Sequence, residues 1–166
     1  MFGLGSPEVT EEPMEAELEN GHCVELRSAS SSELESVVDL LNRSGLPTAG
    51  VADNFSHFLV AEADGRLVGV IGLELYGQSA LLRSAAVEEG WRGSGVGRVL
   101  VERALDLARD RGIADVYLLT TTAEHYFPKF GFVCVRRDEV APGVRSSVEF
   151  QTSCPASATV MRKHVQ

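Results

Sequence analysis

Seven residues carry the densest chemistry in the chain: Arg92-Gly93-Ser94-Gly95-Val96-Gly97-Arg98. Three glycines and two arginines stand where a strand-like segment, Leu81 to Val87, gives way to a long amphipathic stretch starting at Val96. A strand, a glycine-rich turn and a helix start leave several backbone N–H groups without partners, at the positive end of the helix dipole. Glycines let an anion approach that backbone, so the spacing predicts a pyrophosphate cradle. A P-loop requires Gly-Lys-Ser/Thr at its end, and Arg98-Val99 stands there instead. A dinucleotide fingerprint that begins at Gly93 and Gly95 puts Arg98 where its third glycine belongs. The pattern Arg-x-x-Gly-x-Gly fits Arg92, Gly95 and Gly97 directly.

A second group lies just upstream. Phe58 to Ala63 and Leu67 to Tyr76 read as strands around the Asp64-Gly65 turn, and Gly77-Gln78 turns the chain again into Ser79 to Val87. A two-residue turn there sets Tyr76 opposite Ser79, Glu74 opposite Leu81 and Gly72 opposite Arg83. Gly72, Glu74, Tyr76, Leu81 and Arg83 then share one sheet face, while Leu67, Gly69, Ile71, Leu73 and Leu75 form an apolar one. Gly72 leaves space above Arg83. Glu74 and Arg83 meet diagonally, either as a plain cross-strand ion pair or as a polar floor.

The remaining elements must position these groups. Ser32 caps a helix with Leu34, Val37, Val38, Leu40 and Leu41 on one face, closed by Gly45. Val96 to Arg111 is the clearest helix and stops at Gly112. Val116 to Thr121 reads as a buried strand, Glu124 to Phe130 as a short helix ending at Gly131, and Ala158 to Met161 as a closing strand. The fold class is mixed α/β, with a mostly antiparallel sheet flanked by helices. Residues 1–22, rich in Glu, are expected to be a disordered acidic leader, although Glu11 to Leu18 could form a marginal helix. Residues 23–166 form a single domain. A net charge of -9 argues against nucleic-acid or anionic-membrane partners and still leaves room for one cationic pocket. No apolar run is long enough to span a membrane. Three cysteines without CxxC spacing point to the cytoplasm and to no structural metal.

On Arg92-x-x-Gly95-x-Gly97 and on the segment Ala123 to Phe132, with its Gly131-Phe132 end, the chain resembles the GNAT superfamily of N-acetyltransferases. The resemblance runs from about Val24 to the C-terminus. Leu118 to Thr122, Arg137 to Val140 and Cys154 to Ala158 are similar to the subgroup associated with arsenic resistance, and more distantly to the acetylating domain of glutamate N-acetyltransferases. The resemblance implies a GNAT fold, acetyl-CoA as cosubstrate, no metal, and acetyl transfer to the amine of a small molecule such as an amino acid or an amino-acid-like toxin. Backbone at Ala86 and Val87 would pair with the pantetheine arm. Arg92, Gly93, Ser94, Gly95, Val96, Gly97 and Arg98 would hold the pyrophosphate. A splay between the strands ending at Val87 and starting at Val116 would admit the thioester.

An aliphatic amine is mostly protonated at neutral pH, so the reaction asks for a base. Candidates are Glu74, Glu62, Glu124, His57 and His125, and the shared sheet face favours Glu74 as base or amine anchor. Arg83 would meet a substrate carboxylate, with Tyr76 and Thr121 completing the substrate side. Many members of the superfamily carry a tyrosine four residues before the glycine of Gly-Phe, where Phe127 stands here, and Tyr126 is one residue early. On a regular helix that turns it about 100° away. The acid is then Ser157, the nearest equivalent of a tail serine in the glutamate-acetylating relatives, or Thr121, or water, or none; otherwise the helix is irregular around Pro128. An acyl-CoA-binding sensor and a protein N-acetyltransferase are the alternative functions. Cys134 and Cys154 are weighed as soft ligands for trivalent arsenic, and the tail after Phe150 as a homodimer contact.

Overall fold

The computed structural model describes residues 13–153 and 157–166. Among them, eight strands form one sheet: β1 (Met14–Glu17), β2 (Cys23–Ser28), β3 (Phe58–Ala63), β4 (Arg66–Tyr76), β5 (Ser79–Val87), β6 (Asp115–Thr120), β7 (Val133–Cys134) and β8 (Thr159–His164). Their spatial order is β1-β2-β3-β4-β5-β6-β8-β7. All pairs are antiparallel except β5 with β6. Helix α1 (Leu34–Arg43) and the four-residue helix α3 (Pro142–Arg145) supplement the long helix α2 (Val96–Asp110). No helix of the described residues is long and apolar enough to cross a membrane.

Helix α2 buries Val96, Leu100, Ala104 and Ala108 against the Ile71 and Leu73 side of the sheet. Gly69 makes this fit possible. A Cβ there would stand 2.8 Å from Val96 Cγ1 and 2.9 Å from Leu100 Cδ1, so its absence lets the start of α2 lie directly on β4. The other face is covered by α1, through Val37, Leu40 and Leu41, and by residues from 135 to 150 packed on Leu81 and Tyr117.

Five expectations need correction. Met14–Glu17 is not leader: it pairs with β2 from Met14↔Leu26 to Glu17↔Cys23, and Leu18 is buried, because alternation hidden among the glutamates suffices to extend a sheet edge. Residues 1–12 lie outside the described residues. Ser32 does not cap α1: Ser30 caps a 3-10 turn, Ser31–Glu33, with its N–H donating to Glu33 Oε1 at 2.8 Å, and Glu33 then stands at the N-cap of the helix. Gly72 opens space for the ring of Phe58, which lies 2.4 Å from where a Cβ would be, not for a ligand above Arg83. The short helix before Gly131 is a 3-10 turn, Phe127–Phe130, because Pro128 and Gly131 (φ 94°) leave no room for an α-helical turn. The tail strand is longer than expected, and it inserts between β6 and β7.

Candidate active site

The hairpin β4–β5 has the register that a two-residue turn dictates: Tyr76↔Ser79, Glu74↔Leu81 and Gly72↔Arg83. Beyond Arg83 the register shifts, so that Val70 faces Ala86, and β5 spends one residue more than β4. Ser84 takes up that residue at φ 58°, a left-handed bulge that bends the end of β5. On its other side β5 pairs with β6 only from Ser79↔Asp115 to Leu81↔Tyr117. Past Leu81 the two strands part. Between them and the start of α2 opens a cleft of about 800 Å³.

One end of the cleft is the cradle. Gly93 (φ 78°) and Gly95 (φ 100°) sit in backbone that L side chains rarely adopt. The first bond into α2 runs from Val99 N–H to Gly95 C=O at 3.1 Å, so the N–H groups of Val96, Gly97 and Arg98 are the unbonded donors of a helix start. Arg92, Gly93, Gly95, Gly97, Arg98 and Lys129 line this end, with Ala86 and Val87 on the strand edge beside it. Arg92 Nε donates to Val87 C=O at 3.2 Å, tying the turn to that edge. Ser94 and Val96 do not line the cleft. Ser94 Oγ donates to Trp91 C=O, and Val96 is buried under the turn against Gly69. These residues fit an anionic diphosphate through backbone donors, three cations and a left-handed turn.

The acid expectations fare differently. Tyr126 and Phe127 both line the cleft; the Tyr126 hydroxyl is 3.3 Å from where a Cβ on Gly97 would stand, and Phe127, which is buried, has no polar group to offer. Burial, reinforced by Glu102 and opposed by Arg98, raises the Tyr126 pKa, so its hydroxyl stays protonated at neutral pH. The Lys129 ammonium sits 3.9 Å from the centre of its ring. Tyr126 precedes the 3-10 turn as its N-cap, so the spacing of a regular helix from Glu124 to Phe130 does not apply to this tyrosine. Ser157 is exposed and outside the cleft lining, and so is Thr121, whose neighbours Thr120 and Thr122 line the cleft instead. Neither is positioned for the expected role.

At the far end stand Arg83 and Glu149. The Arg83 side chain is fully buried. It donates from Nη1 to Glu74 Oε2 at 2.8 Å and to Ala49 C=O at 2.6 Å, from Nη2 to Pro47 C=O at 3.2 Å, and from Nε to Ser84 Oγ at 2.9 Å. Glu74 is brought to Arg83 as the register predicts, but it stands behind it and does not line the cleft. Its second oxygen accepts from the Tyr76 hydroxyl, whose pKa is pushed up by burial and by that carboxylate. Tyr76 also lies outside the cleft lining, packed against Gly143. The other base candidates lie elsewhere. Glu62 pairs with Arg27 at 2.8 Å, His125 is exposed, Glu124 is off the lining, and His57 sits by Arg111 at a separate small pocket. Cys134 is exposed on edge strand β7, and Cys154 lies outside the described residues.

Sequence reasoning misses Glu149, Lys129 and the Ser84 bulge. No local signal marks Glu149, because the tail reaches the cleft only through the tertiary fold. The left-handed serine likewise has no signature of its own.

A profile described as the acetyltransferase (GNAT) domain matches residues 54–134. Over 89 residues the chain is 29% identical to an uncharacterized N-acetyltransferase of Chlorobaculum tepidum, covering 53% of this chain and 57% of that protein. Over 81 residues it is 35% identical to the streptothricin acetyltransferase of Streptomyces lavendulae, covering 45% of this chain and 43% of that one. The chain thus spans about half the length of these curated relatives. N-acetylglutamate synthase of Neisseria gonorrhoeae, solved with coenzyme A and N-acetyl-glutamate, aligns at a TM-score of 0.75 and 22% identity over 86% of this chain and 35% of that chain. The matched stretch contains Glu74, Arg83, the cradle and Tyr126, whereas Glu149 lies beyond it. The chain therefore has the GNAT acetyltransferase fold, and residues 54–134 are the part that matches the family's domain.

Proposed function

We propose that this protein is an acyltransferase that moves acetyl from acetyl-CoA to the amine of a small molecule. The observation that carries the reading is one continuous cleft joining a helix-start anion cradle to a strand edge left open by the β5–β6 splay. When bound, acetyl-CoA supplies an activated acyl group, whose carbonyl carbon bonds to the neutral acceptor nitrogen as the carbon–sulfur bond breaks; the nitrogen gives up one proton to water and the sulfur takes up one. Arg92, Gly93, Gly95, Gly97 and Arg98 hold the diphosphate, and Ala86 and Val87 offer their backbone to the pantetheine arm. Tyr126, protonated and in the same cleft, is the chain's donor for the departing sulfur, in place of position 127.

The acceptor classes to try first are amino acids and amino-acid-like toxins, the latter suggested by the resemblance to arsenic-resistance proteins. Arg83 is the cation a substrate carboxylate would meet, in exchange for its bonds to the Pro47 and Ala49 carbonyls. The streptothricin acetyltransferase relative adds amine-bearing antibiotics. Thiol release from acetyl-CoA across such a panel tests the reading. At least one amine should drive release. Tight acetyl-CoA binding with no release for any amine would favour the sensor instead.

A further inference from the structure

We infer that Glu19, carried on the turn between β1 and β2, is a built-in competitor for the cradle: its carboxylate holds Arg98 until the diphosphate of coenzyme A displaces it, and takes Arg98 back as coenzyme A leaves. The inference rests on the transferase reading above and names a residue that sets how tightly that site keeps its cosubstrate.

Backbone bonds and apolar neighbours fix the turn against the cradle. Leu18 N–H donates to His22 C=O at 2.7 Å and Gly21 N–H to Leu18 C=O at 2.9 Å, which closes the hairpin. Leu18 is buried, and its Cδ2 lies 3.9 Å from where a Cβ on Gly95 would stand. The His22 and Trp91 rings meet edge to face with centroids 5.6 Å apart, and Trp91 C=O accepts from Ser94 Oγ. The β1–β2 turn therefore packs on the cradle turn, although it lies outside the stretch 54–134 that matches the family's domain.

What the turn delivers there is a carboxylate. Glu19 and Arg98 both line the cleft, and Glu19 Oε1 accepts from Arg98 Nη1 at 3.0 Å. Arg98 Nε donates to Glu102 Oε1 at 3.2 Å, one turn along α2. An end-on, two-oxygen contact with a phosphate uses both Nη nitrogens of an arginine, and Glu19 is the carboxylate that occupies one of them. A phosphate and a carboxylate on the same nitrogen repel each other, so one must give way. Glu19 can yield cheaply. Its side chain is 83% exposed, so it swings into water without breaking a backbone bond of the hairpin. The backbone stays, and the carboxylate is at hand when the diphosphate departs. Affinity changes among variants of one site fall mostly on the rate of leaving, which is where this competitor acts.

The test is calorimetric titration of coenzyme A into wild type, Glu19→Gln, Glu17→Gln, Arg98→Gln and the Glu19→Gln/Arg98→Gln double variant. Glu19→Gln should bind about two- to fivefold more tightly than wild type, the scale of an exposed ion pair. Coenzyme A should leave immobilised Glu19→Gln protein more slowly by a similar factor. Glu17→Gln removes the same charge from exposed strand β1 without touching Arg98, and should stay within about 1.5-fold of wild type. Arg98→Gln should weaken binding, and in that background the Glu19 substitution should change little. Equal affinity in wild type and Glu19→Gln overturns the inference, as does an equal gain in Glu17→Gln or a gain that persists without Arg98. Tighter binding that comes wholly from faster association overturns the release role. In each of these cases the cradle assignment survives. If neither wild type nor Glu19→Gln binds coenzyme A, the cradle assignment falls and the competitor falls with it.

Discussion

At the scale of single residues, burial decides what each titratable group can do. Tyr126 is held protonated by desolvation, so a Tyr126→Phe variant should lose about tenfold or more in kcat with little change in acetyl-CoA affinity. An unchanged kcat would hand proton donation to water. His57 is pushed the other way: burial, then the nearby Arg111, lowers its pKa from 6.5. The folded state therefore resists a proton that the unfolded state accepts. Its contribution to stability is present above pH 6.5 and is lost as pH falls through the lowered folded value. His57→Gln should flatten the acid side of a thermal-midpoint profile below that pH, and an unaltered slope would contradict this. Glu74 is the most exacting position. Removing it takes from buried Arg83 its carboxylate at 2.8 Å and leaves Glu149 at 3.5 Å, and Glu74→Ala should cost about 3–5 kcal/mol in chemical denaturation.

At the scale of elements, the critical seam is β4 against the start of α2. Gly69→Ala brings a Cβ within 3 Å of both Val96 and Leu100, and one of them must move. The expected cost is about 1–3 kcal/mol of stability. Because Val96 follows Gly95 directly, the shift should also weaken acetyl-CoA binding, so calorimetry and thermal melts should move together. Such local arrangements were the legible part. The β4–β5 register followed from one two-residue turn, and with it the meeting of Glu74 and Arg83 on one face. The strand–turn–helix geometry of residues 92–98 was legible because glycine spacing, a preceding strand and an amphipathic helix are all local signals. Other features were not. The Ser84 bulge needs no special residue type, and it decides that β5 bends away from β6. Tyr126 stands ahead of the 3-10 turn Phe127–Phe130 and lines the cleft, where helical periodicity turned it away. Glu149 depends on the 135–150 segment folding back over Leu81 and Tyr117, a long-range contact with no periodic trace.

At the scale of the whole molecule, a net charge of -9 surrounds a cleft whose cradle end carries Arg92, Arg98 and Lys129. On the proposed reading, the protein as a whole repels an anionic cosubstrate that the cationic end of the cleft attracts. Exposed charges are screened within about 10 Å at 0.1 M salt, so added salt weakens both effects. The contacts inside the cradle are the closer ones, so the acetyl-CoA KM should rise modestly, by a few-fold at most, as salt is increased. A KM that falls with salt would mean that the global field dominates. Arg98 is also shared with Glu19 at 3.0 Å and Glu102 at 3.2 Å, which tempers its charge before any ligand arrives.

The most direct measurement is isothermal titration of coenzyme A into wild type and Gly95→Glu, with thermal melts to show that both are folded. Gly95 combines a φ of 100° with a position at the mouth of the cradle, so glutamate there strains the turn and sets a carboxylate against the diphosphate. Wild type should bind with a clear heat, and the folded variant should lose affinity by about a hundredfold or more. Equal affinity in the two proteins would contradict the assignment of residues 92–98 as the diphosphate site.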